Sequence, residues 1–153
     1  KAFERNFKKV DLKYARSKNL SPYDVLIIAS MIDREVQVPR ERNLVAEVSY
    51  NRLAANEALG IDATIRYATG NFDKPLTESE LSIDSPYNTR LRPGLPPTPI
   101  ANPGLASIRA AANPARGVDY LYYVRKPGSL SHFFTASEAE FCAKALEYGY
   151  KGC

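Results

Sequence analysis

Apolar side chains recur every three or four residues between Val25 and Val36, a spacing that predicts an amphipathic helix. Start signals precede this segment: Ser21 can cap the helix, Pro22 suits its first turn, and Asp24 completes a capping box. We therefore predict a helix that begins at residue 22 and turns one apolar face into the core.

Glu35 occupies the apolar face of this predicted helix. At about 100° per residue, it lies near the middle of the stripe formed by Ile28, Met31 and Ile32. Asp33 points away from that stripe. A carboxyl group on an apolar face is desolvated, which raises its pKa and suits it to act as a general acid. Two other interpretations stay open: Glu35 could pair with a buried arginine, or the helix could end in solvent.

The remaining periodic segments complete an α+β pattern. Helical spacing and start signals predict further helices over residues 1–18, 39–57, 102–112 and 137–149, with a short one beginning near residue 77. Aromatic and β-branched residues predict two strands, 120–124 and 130–134, joined by a turn at 126–129. The fold class predicted is α+β: a helix-rich single domain with a small antiparallel hairpin and a long Pro-rich cleft loop.

That loop spans residues 60–102, where the periodic pattern stops. Seven of the 11 prolines fall between Pro75 and Pro103, and apart from the short helix near residue 77 we predict no regular element here. Loops of this length in a compact domain are usually functional or disordered. Apolar residues are interleaved throughout, so we expect an ordered loop that packs on the domain and lines a cleft.

Two places in the loop carry candidate chemistry. Asp62, in a tight turn, is the best candidate for the second carboxylate of a hydrolytic glycosidase, but an Asx turn is the favoured explanation of an aspartate at this position. The polar cluster over residues 84–89 suits sugar hydroxyls and N-acetyl groups, with Tyr87 as a stacking platform. The alternative for this cluster is a turn rich in side-chain caps.

Two polar side chains fall at predicted buried positions outside the loop. Asn51 lies on the apolar stripe of the third helix, where it either binds a ligand or bonds to backbone. His132, the only histidine, lies on the second strand beside aromatic residues, where packing and catalysis both remain open. A nucleophilic pair of His132 with Cys142 is disfavoured because Cys142 falls inside an ordinary helix pattern.

Composition narrows the class of protein. The chain has 153 residues, 44% hydrophobic and 25% charged, which are ordinary values for one globular domain. The net charge of +4 comes without a dense basic block, so we predict no nucleic-acid partner. No apolar run is long enough to cross a membrane. Zinc-ligand spacing and a glycine-rich phosphate loop are both missing, so we predict no metal and no cofactor.

Cys142 and Cys153 leave two states open, a disulfide or two free thiols. A disulfide would clip the tail to the last helix and would imply an oxidising compartment. If the domain lives outside the cytoplasm, we expect the two residues to bridge, with a Cα separation of about 4.4–6.8 Å.

Six short motifs are spread over residues 20–148. They are Ala29-Ser30-Met31-Ile32-Asp33-Arg34-Glu35, Asn51-Arg52-Leu53, Asp62-Ala63-Thr64-Ile65-Arg66-Tyr67, Ser85-Pro86-Tyr87-Asn88-Thr89, Gly94-Leu95-Pro96-Pro97-Thr98-Pro99-Ile100-Ala101-Asn102-Pro103-Gly104 and His132-Phe133-Phe134. Together and in this order they resemble the catalytic domain of the endolytic murein (peptidoglycan) transglycosylases, the MltG/YceG-like family. The chain departs from the family pattern at Asp33, where Glu is frequent, and at Ala63, where Pro is usual.

The resemblance implies a lytic transglycosylase, a lyase that cleaves the MurNAc–GlcNAc bond of nascent peptidoglycan, leaves 1,6-anhydroMurNAc ends and terminates glycan strands. It implies Glu35 as the catalytic residue, and candidate substrate-binding residues Asn51, Asp62, Tyr67, Ser85, Tyr87, Asn88, Thr89 and His132. Two alternatives stay open: a hydrolytic muramidase that uses Glu35 and Asp62, and a non-catalytic peptidoglycan-binding module.

The resemblance also implies a setting for the domain. We expect residues 1–153 to form one catalytic domain of a longer membrane-anchored protein, with a leading helix over 1–18, the family-like core over 20–148 and a tail over 149–153. An N-terminal anchor outside this sequence would hold it at the extracytoplasmic face of the bacterial inner membrane. The expected partners are peptidoglycan glycan strands, with peptidoglycan synthases as further candidates.

Overall fold

A computed structural model describes residues 2–151 and 153. In chain order its helices are α1 (Ala2–Phe7), α2 (Lys13–Ser17), α3 (Pro22–Glu35), α4 (Arg42–Ala54), α5 (Asp62–Thr69), α6 (Glu78–Leu81), α7 (Leu105–Ala112) and α8 (Glu138–Glu147). A 3-10 turn, Pro39–Glu41, precedes α4, and the strands are β1 (Tyr122–Arg125) and β2 (His132–Thr135). The predicted α+β class is confirmed. Within the described part of the chain, no helix has the length and apolar character needed to cross a bilayer.

Helix α3 begins at Pro22, where its sequence predicts. Ser21 accepts a hydrogen bond from the backbone N–H of Asp24, and the Asp24 carboxylate accepts one from the backbone N–H of Ser21, so the capping box is confirmed. Ile28 and Ile32 are fully buried. The helix packs against α7, α4 and α5, so both its faces are covered over most of its length. Its last residue is Glu35.

The predicted leading helix over 1–18 is wrong as one element, because the chain forms α1 and α2 with a break between them. At the break, the Asp11 carboxylate accepts a hydrogen bond from the backbone N–H of Lys13 at 3.0 Å. A short polar side chain that bonds local backbone in this way competes with helix continuation. Lys1 lies outside the described residues.

Other boundaries also differ from the sequence pattern: both strands begin two residues later than predicted, and the last helix ends at Glu147. The predicted helix over 39–57 begins as the 3-10 turn and ends at Ala54, shortly before Asn56 adopts a left-handed backbone (φ 55°). The predicted helix over 102–112 starts only at Leu105, because its N-terminus is capped from another element. The Asp33 carboxylate accepts hydrogen bonds from Ser107 Oγ at 2.7 Å and from the Gly104 N–H at 3.4 Å.

The predicted loop over 60–102 contains one helix that its sequence did not reveal. Helix α5 is two turns long and is anchored by Ile65, which is fully buried. Gly70 ends it in the left-handed conformation with φ 74°. Two turns between glycines are too short for a periodic pattern to stand out. The short helix α6 and its Thr77–Glu80 capping box are confirmed.

The hairpin forms one antiparallel pair in which Tyr123 faces Phe134 and Arg125 faces His132. Residues at alternate positions share a face, so these four side chains lie on the same side of the hairpin. Helix α8 packs on both strands. The Tyr122 ring, on the other face, stacks on Phe141 of α8 at 5.3 Å between ring centroids. The hairpin is therefore held by α8 on one face and can present the other to the rest of the domain.

Cys142 and Cys153 form a disulfide with a Cα separation of 5.6 Å, so the bridged one of the two predicted states is confirmed. In the chain-entropy model, a loop of this size contributes about 3 kcal/mol. We expect reduction to lower the free energy of unfolding by about 2–3 kcal/mol, measured by urea unfolding with and without reductant. The Cys142→Ser/Cys153→Ser double variant is the control. It should match the reduced protein and ignore reductant.

Candidate active site

A cavity of about 690 Å³ opens where the end of α3, the start of α5 and the hairpin meet. Residues of the tail, Tyr150 and Lys151, add to its wall beside the disulfide. The ionisable side chains that line it are Arg34, Glu35, Arg52, Asp62, Arg90, Tyr122, Tyr123, Arg125, His132, Tyr150 and Lys151. Three of the residues predicted for the site, Glu35, Asp62 and His132, thus line one cavity despite their separation in sequence.

Glu35 is half-buried at the end of α3 and reaches this cavity. The phenolic O–H of Tyr123 donates to its Oε2 at 3.2 Å. Burial raises the pKa of Glu35 above its ordinary value, and the negative charge of Asp62 raises it further. The Tyr123 hydroxyl, the backbone N–H of Ala63 and His132 act in the opposite direction but do not cancel the rise. The predicted direction of the Glu35 pKa is confirmed.

The hydrogen bonds to Glu35 suit a carboxyl group that changes charge. Tyr123 and the Ala63 N–H can both stabilise the carboxylate once its proton has left, since each is a donor. Burial has the opposite effect, because it favours the neutral, protonated form of Glu35. Glu35 can therefore hold a proton, release it and take one back.

Asp62 begins α5 and does not lie in the isolated turn that the sequence suggested. Arg90 binds Asp62 Oδ1 with two nitrogens, Nε at 2.9 Å and Nη2 at 2.8 Å. The Asp62 side chain is 46% exposed. Asp62 is thus a partly solvated carboxylate held by a cation, and its charge acts on the more buried carboxyl group of Glu35.

His132 lines the cavity and is anchored from behind by Glu41 of the 3-10 turn. The Glu41 Oε2 lies 2.8 Å from His132 Nδ1, and its Oε1 accepts a hydrogen bond from the His132 backbone N–H at 2.9 Å. The His132 ring meets the Tyr123 ring edge to face, with 5.3 Å between centroids. A chain of contacts therefore runs from Glu41 to Glu35.

The expectation that residues 85–89 would line a groove with Glu35 is not met in this cavity. The Asn88 side chain is fully buried and donates to the carbonyls of Leu81 at 3.0 Å and Ile83 at 2.9 Å. Thr89 is 2% exposed and its hydroxyl bonds to Thr64 and the Ile61 carbonyl. Both side chains are used to fold the loop, so the capped-turn interpretation describes them better.

Tyr87 and Ser85 also lie outside the cavity lining. The Tyr87 hydroxyl lies 2.7 Å from Thr98 Oγ1, and Ser85 Oγ accepts a hydrogen bond from the Tyr87 N–H at 3.2 Å. The Tyr87 ring contacts the exposed Tyr67 ring, with 5.0 Å between centroids. This tyrosine pair leaves aromatic surface accessible, so a role in contacting sugar rings stays a prediction for Tyr67 and Tyr87.

Asn51 serves the fold. Its amide donates to the carbonyls of Val118 at 3.4 Å and Tyr120 at 3.0 Å, which tethers the segment before β1 to α4. Asn51 is absent from the cavity lining. Of the two interpretations that the sequence left open for Asn51, the backbone-bonded one is the one the structure supports.

Sequence reasoning missed Tyr123, Glu41, Arg52 and Arg90. Tyr123 and Arg52 lie on elements that were predicted, but only the hairpin register turns Tyr123 toward α3. Arg52 donates to the carbonyls of Leu121 and Ala58, and its guanidinium lies 4.7 Å from the Tyr122 ring centroid. No local pattern marks Glu41, because its partner His132 lies 91 residues away in sequence.

Comparisons with known proteins show the family of this chain. The model of the YceG-like family matches residues 1–147. The chain belongs to the YceG-like family. It is similar to an endolytic murein transglycosylase of Bacillus subtilis (40% identical over 111 residues, 72% of this chain and 31% of the relative) and to one of Streptococcus pneumoniae (36% over 124 residues, 76% and 22%).

A solved structure supports the fold of this YceG-like chain. A yceG-like protein from Listeria monocytogenes superposes with a TM-score of 0.75 at 35% identity, over 86% of this chain and 42% of that one. The chain spans less than a third of the length of the two curated relatives. The family predicted from the motifs and the α+β class predicted from the periodic pattern are thus confirmed.

Proposed function

We propose that this domain is the catalytic part of an endolytic murein transglycosylase that cleaves the MurNAc–GlcNAc bond of nascent peptidoglycan strands and leaves 1,6-anhydroMurNAc ends, terminating glycan elongation. The observation that carries the proposal is a single carboxyl group, Glu35, with a raised pKa at the wall of a large open cavity. The names of the similar proteins support the same reaction.

The chemistry needs one group that acts first as acid and then as base. Protonated Glu35 gives its proton to the glycosidic oxygen as the bond from that oxygen to the anomeric carbon breaks. The Glu35 carboxylate then takes the proton of the sugar's own 6-hydroxyl, whose oxygen bonds to the anomeric carbon. No water is consumed. Tyr123 and the Ala63 N–H stabilise the carboxylate between the two transfers.

Asp62 is the residue on which a hydrolytic alternative would depend, since hydrolases use a second carboxylate. It lines the same cavity, but its Oδ1 is bound by Arg90. We assign Asp62 a supporting electrostatic role, because its charge helps to keep the proton on Glu35. The similar proteins also favour the lytic reaction.

Mass spectrometry of products from purified peptidoglycan tests the proposal. We expect 1,6-anhydro ends, one water lighter than hydrolysed ends, and we expect the Asp62→Asn variant to form the same product at a reduced rate. Arg90→Gln, which removes the cation but keeps Asp62, is the matched control and should also retain the anhydro product. Mainly reducing ends, or loss of cleavage with Asp62→Asn but not with Glu35→Gln, would assign the domain to the hydrolases.

The setting follows from the same proposal. Peptidoglycan is extracytoplasmic, and the Cys142–Cys153 disulfide is compatible with an oxidising compartment. We further propose that a longer protein anchors the domain at the outer face of the cell membrane, near the synthases that extend the strands. Protease protection in spheroplasts, with the domain expressed within its full-length protein, would test that location.

A further inference from the structure

Glu41 and His132 form a buried pair that the reaction above does not use. Their side chains are 5% and 6% exposed. Both carboxylate oxygens of Glu41 contact His132, Oε2 at the ring nitrogen Nδ1 and Oε1 at the backbone N–H. Because a buried carboxylate is costly, a fold keeps one only where its partners are well placed. Here both partners belong to the first residue of β2.

Tyr123 connects the Glu41–His132 pair to Glu35, because it contacts both His132 and Glu35. The plane of the His132 ring stands at 88° to that of Tyr123, and Phe134 supports the Tyr123 ring at 5.7 Å between centroids. Tyr123 pairs with Phe134 across the hairpin, so His132 is its diagonal neighbour on the same face. The Tyr123 hydroxyl then donates to Glu35 Oε2. The Tyr123 ring is thereby held on the side facing β2, and its hydroxyl is aimed at α3.

We propose that Glu41 and His132 are positioning residues that hold the Tyr123 hydroxyl on Glu35 Oε2 and so leave Oε1 of Glu35 to meet the glycosidic oxygen. This inference rests on the proposed function of the cavity. Glu41 fixes the His132 ring through Nδ1, the fixed ring limits the movement of Tyr123, and Tyr123 orients the carboxyl group. Displacement of a catalytic group by about 1 Å can cost about 10²-fold in rate, so a rigid support matters.

The test compares Glu41→Gln with Glu47→Gln. Both remove the charge of a buried glutamate, since Glu41 is 4% and Glu47 is 7% exposed, but Glu47 does not line the cavity. We expect Glu41→Gln to lower kcat about tenfold with KM changed less than about twofold, because orientation rather than binding is lost. Glu41→Asp keeps the charge and should recover part of kcat. Glu47→Gln should leave kcat and KM as in the wild type.

A double-mutant cycle with Tyr123→Phe decides whether the pair acts through Tyr123. If it does, Tyr123→Phe alone lowers kcat, and adding Glu41→Gln lowers it little further. Independent, multiplied losses would overturn the proposal. So would an unchanged kcat in Glu41→Gln. If Glu41→Gln fails to fold, His132→Asn replaces it in the cycle, and the same two outcomes apply.

The pH response of Glu35 gives a readout that a merely structural pair would not move. The groups that face Glu35 are Asp62 from α5, Tyr123 from β1 and His132 from β2. The hydrogen bond from the Tyr123 hydroxyl lowers the Glu35 pKa, and Glu41→Gln should weaken that bond by loosening the support of the Tyr123 ring. The Glu35 pKa should therefore rise in Glu41→Gln, and stay unchanged in Glu47→Gln.

Carboxyl carbon NMR measures that pKa without turnover, which separates this inference from the proposed function. A wild-type protein that gives no 1,6-anhydro ends would overturn the proposed function, while the NMR comparison would still test the pair. An unmoved Glu35 resonance titration in Glu41→Gln would overturn the inference, even if the domain cleaves peptidoglycan as proposed.

Discussion

Replacement of Glu35 by Gln should abolish most cleavage while the domain stays folded. Gln keeps the shape of the side chain and can still accept the Tyr123 hydrogen bond, but it cannot supply a proton. Loss of a positioned general acid costs about 10²-fold or more in rate. We expect kcat on purified peptidoglycan to fall by at least that factor, measured from 1,6-anhydro ends formed per unit time.

The same variant should gain rather than lose stability at neutral pH. The folded-state pKa of Glu35 is raised above its ordinary value of 4.5. The stability that the protonated side chain contributes is therefore fully present below the pKa of the unfolded state, and it is lost as pH rises through the pKa of the folded state. Gln has no charge to bury. A melting temperature of Glu35→Gln below that of the wild type at neutral pH, or near-wild-type kcat in a folded variant, would contradict this assignment.

Replacement of Asn88 by Ala should lower the free energy of unfolding of the domain and leave its affinity for substrate unchanged. The Asn88 amide donates to two carbonyls, and its Oδ1 accepts a hydrogen bond from the Arg90 N–H at 3.0 Å. Three bonds of about 1 kcal/mol each predict a loss of about 3 kcal/mol in the free energy of unfolding. Urea unfolding at one pH measures this loss.

Asn102→Ala is the matched control, because Asn102 is an exposed asparagine of the same proline-rich stretch. Its free energy of unfolding should stay within about 0.5 kcal/mol of the wild type. KM of the folded Asn88→Ala enzyme, measured well below its melting temperature, should stay within about twofold of wild type if Asn88 has only a structural role. A large rise in KM without loss of stability would restore Asn88 as a substrate-binding residue.

Which elements could be predicted from the sequence depends on the length of the pattern that marks each of them. Helix α3 has a capping box at one end and apolar residues over three turns, so its limits and the unusual place of Glu35 could both be derived locally. Helix α5 has two turns between glycines, and its helical state depends on Ile65 packing into the core. Local pattern cannot show such packing.

Tertiary structure decided which side chains contact and position Glu35. Nothing near Glu41 or Tyr123 in sequence says that a 3-10 turn and a hairpin converge on the end of α3, because Glu41 and His132 are 91 residues apart. Asn88 shows the reverse case. Its motif resembles a ligand-binding segment, but whether an amide meets a sugar or a buried carbonyl depends on which way the loop packs. The sequence by itself determined that one carboxyl group would be desolvated. The packing of the loop and hairpin determined which groups surround it, because burial and hydrogen bonding between distant segments arise only when the chain is folded.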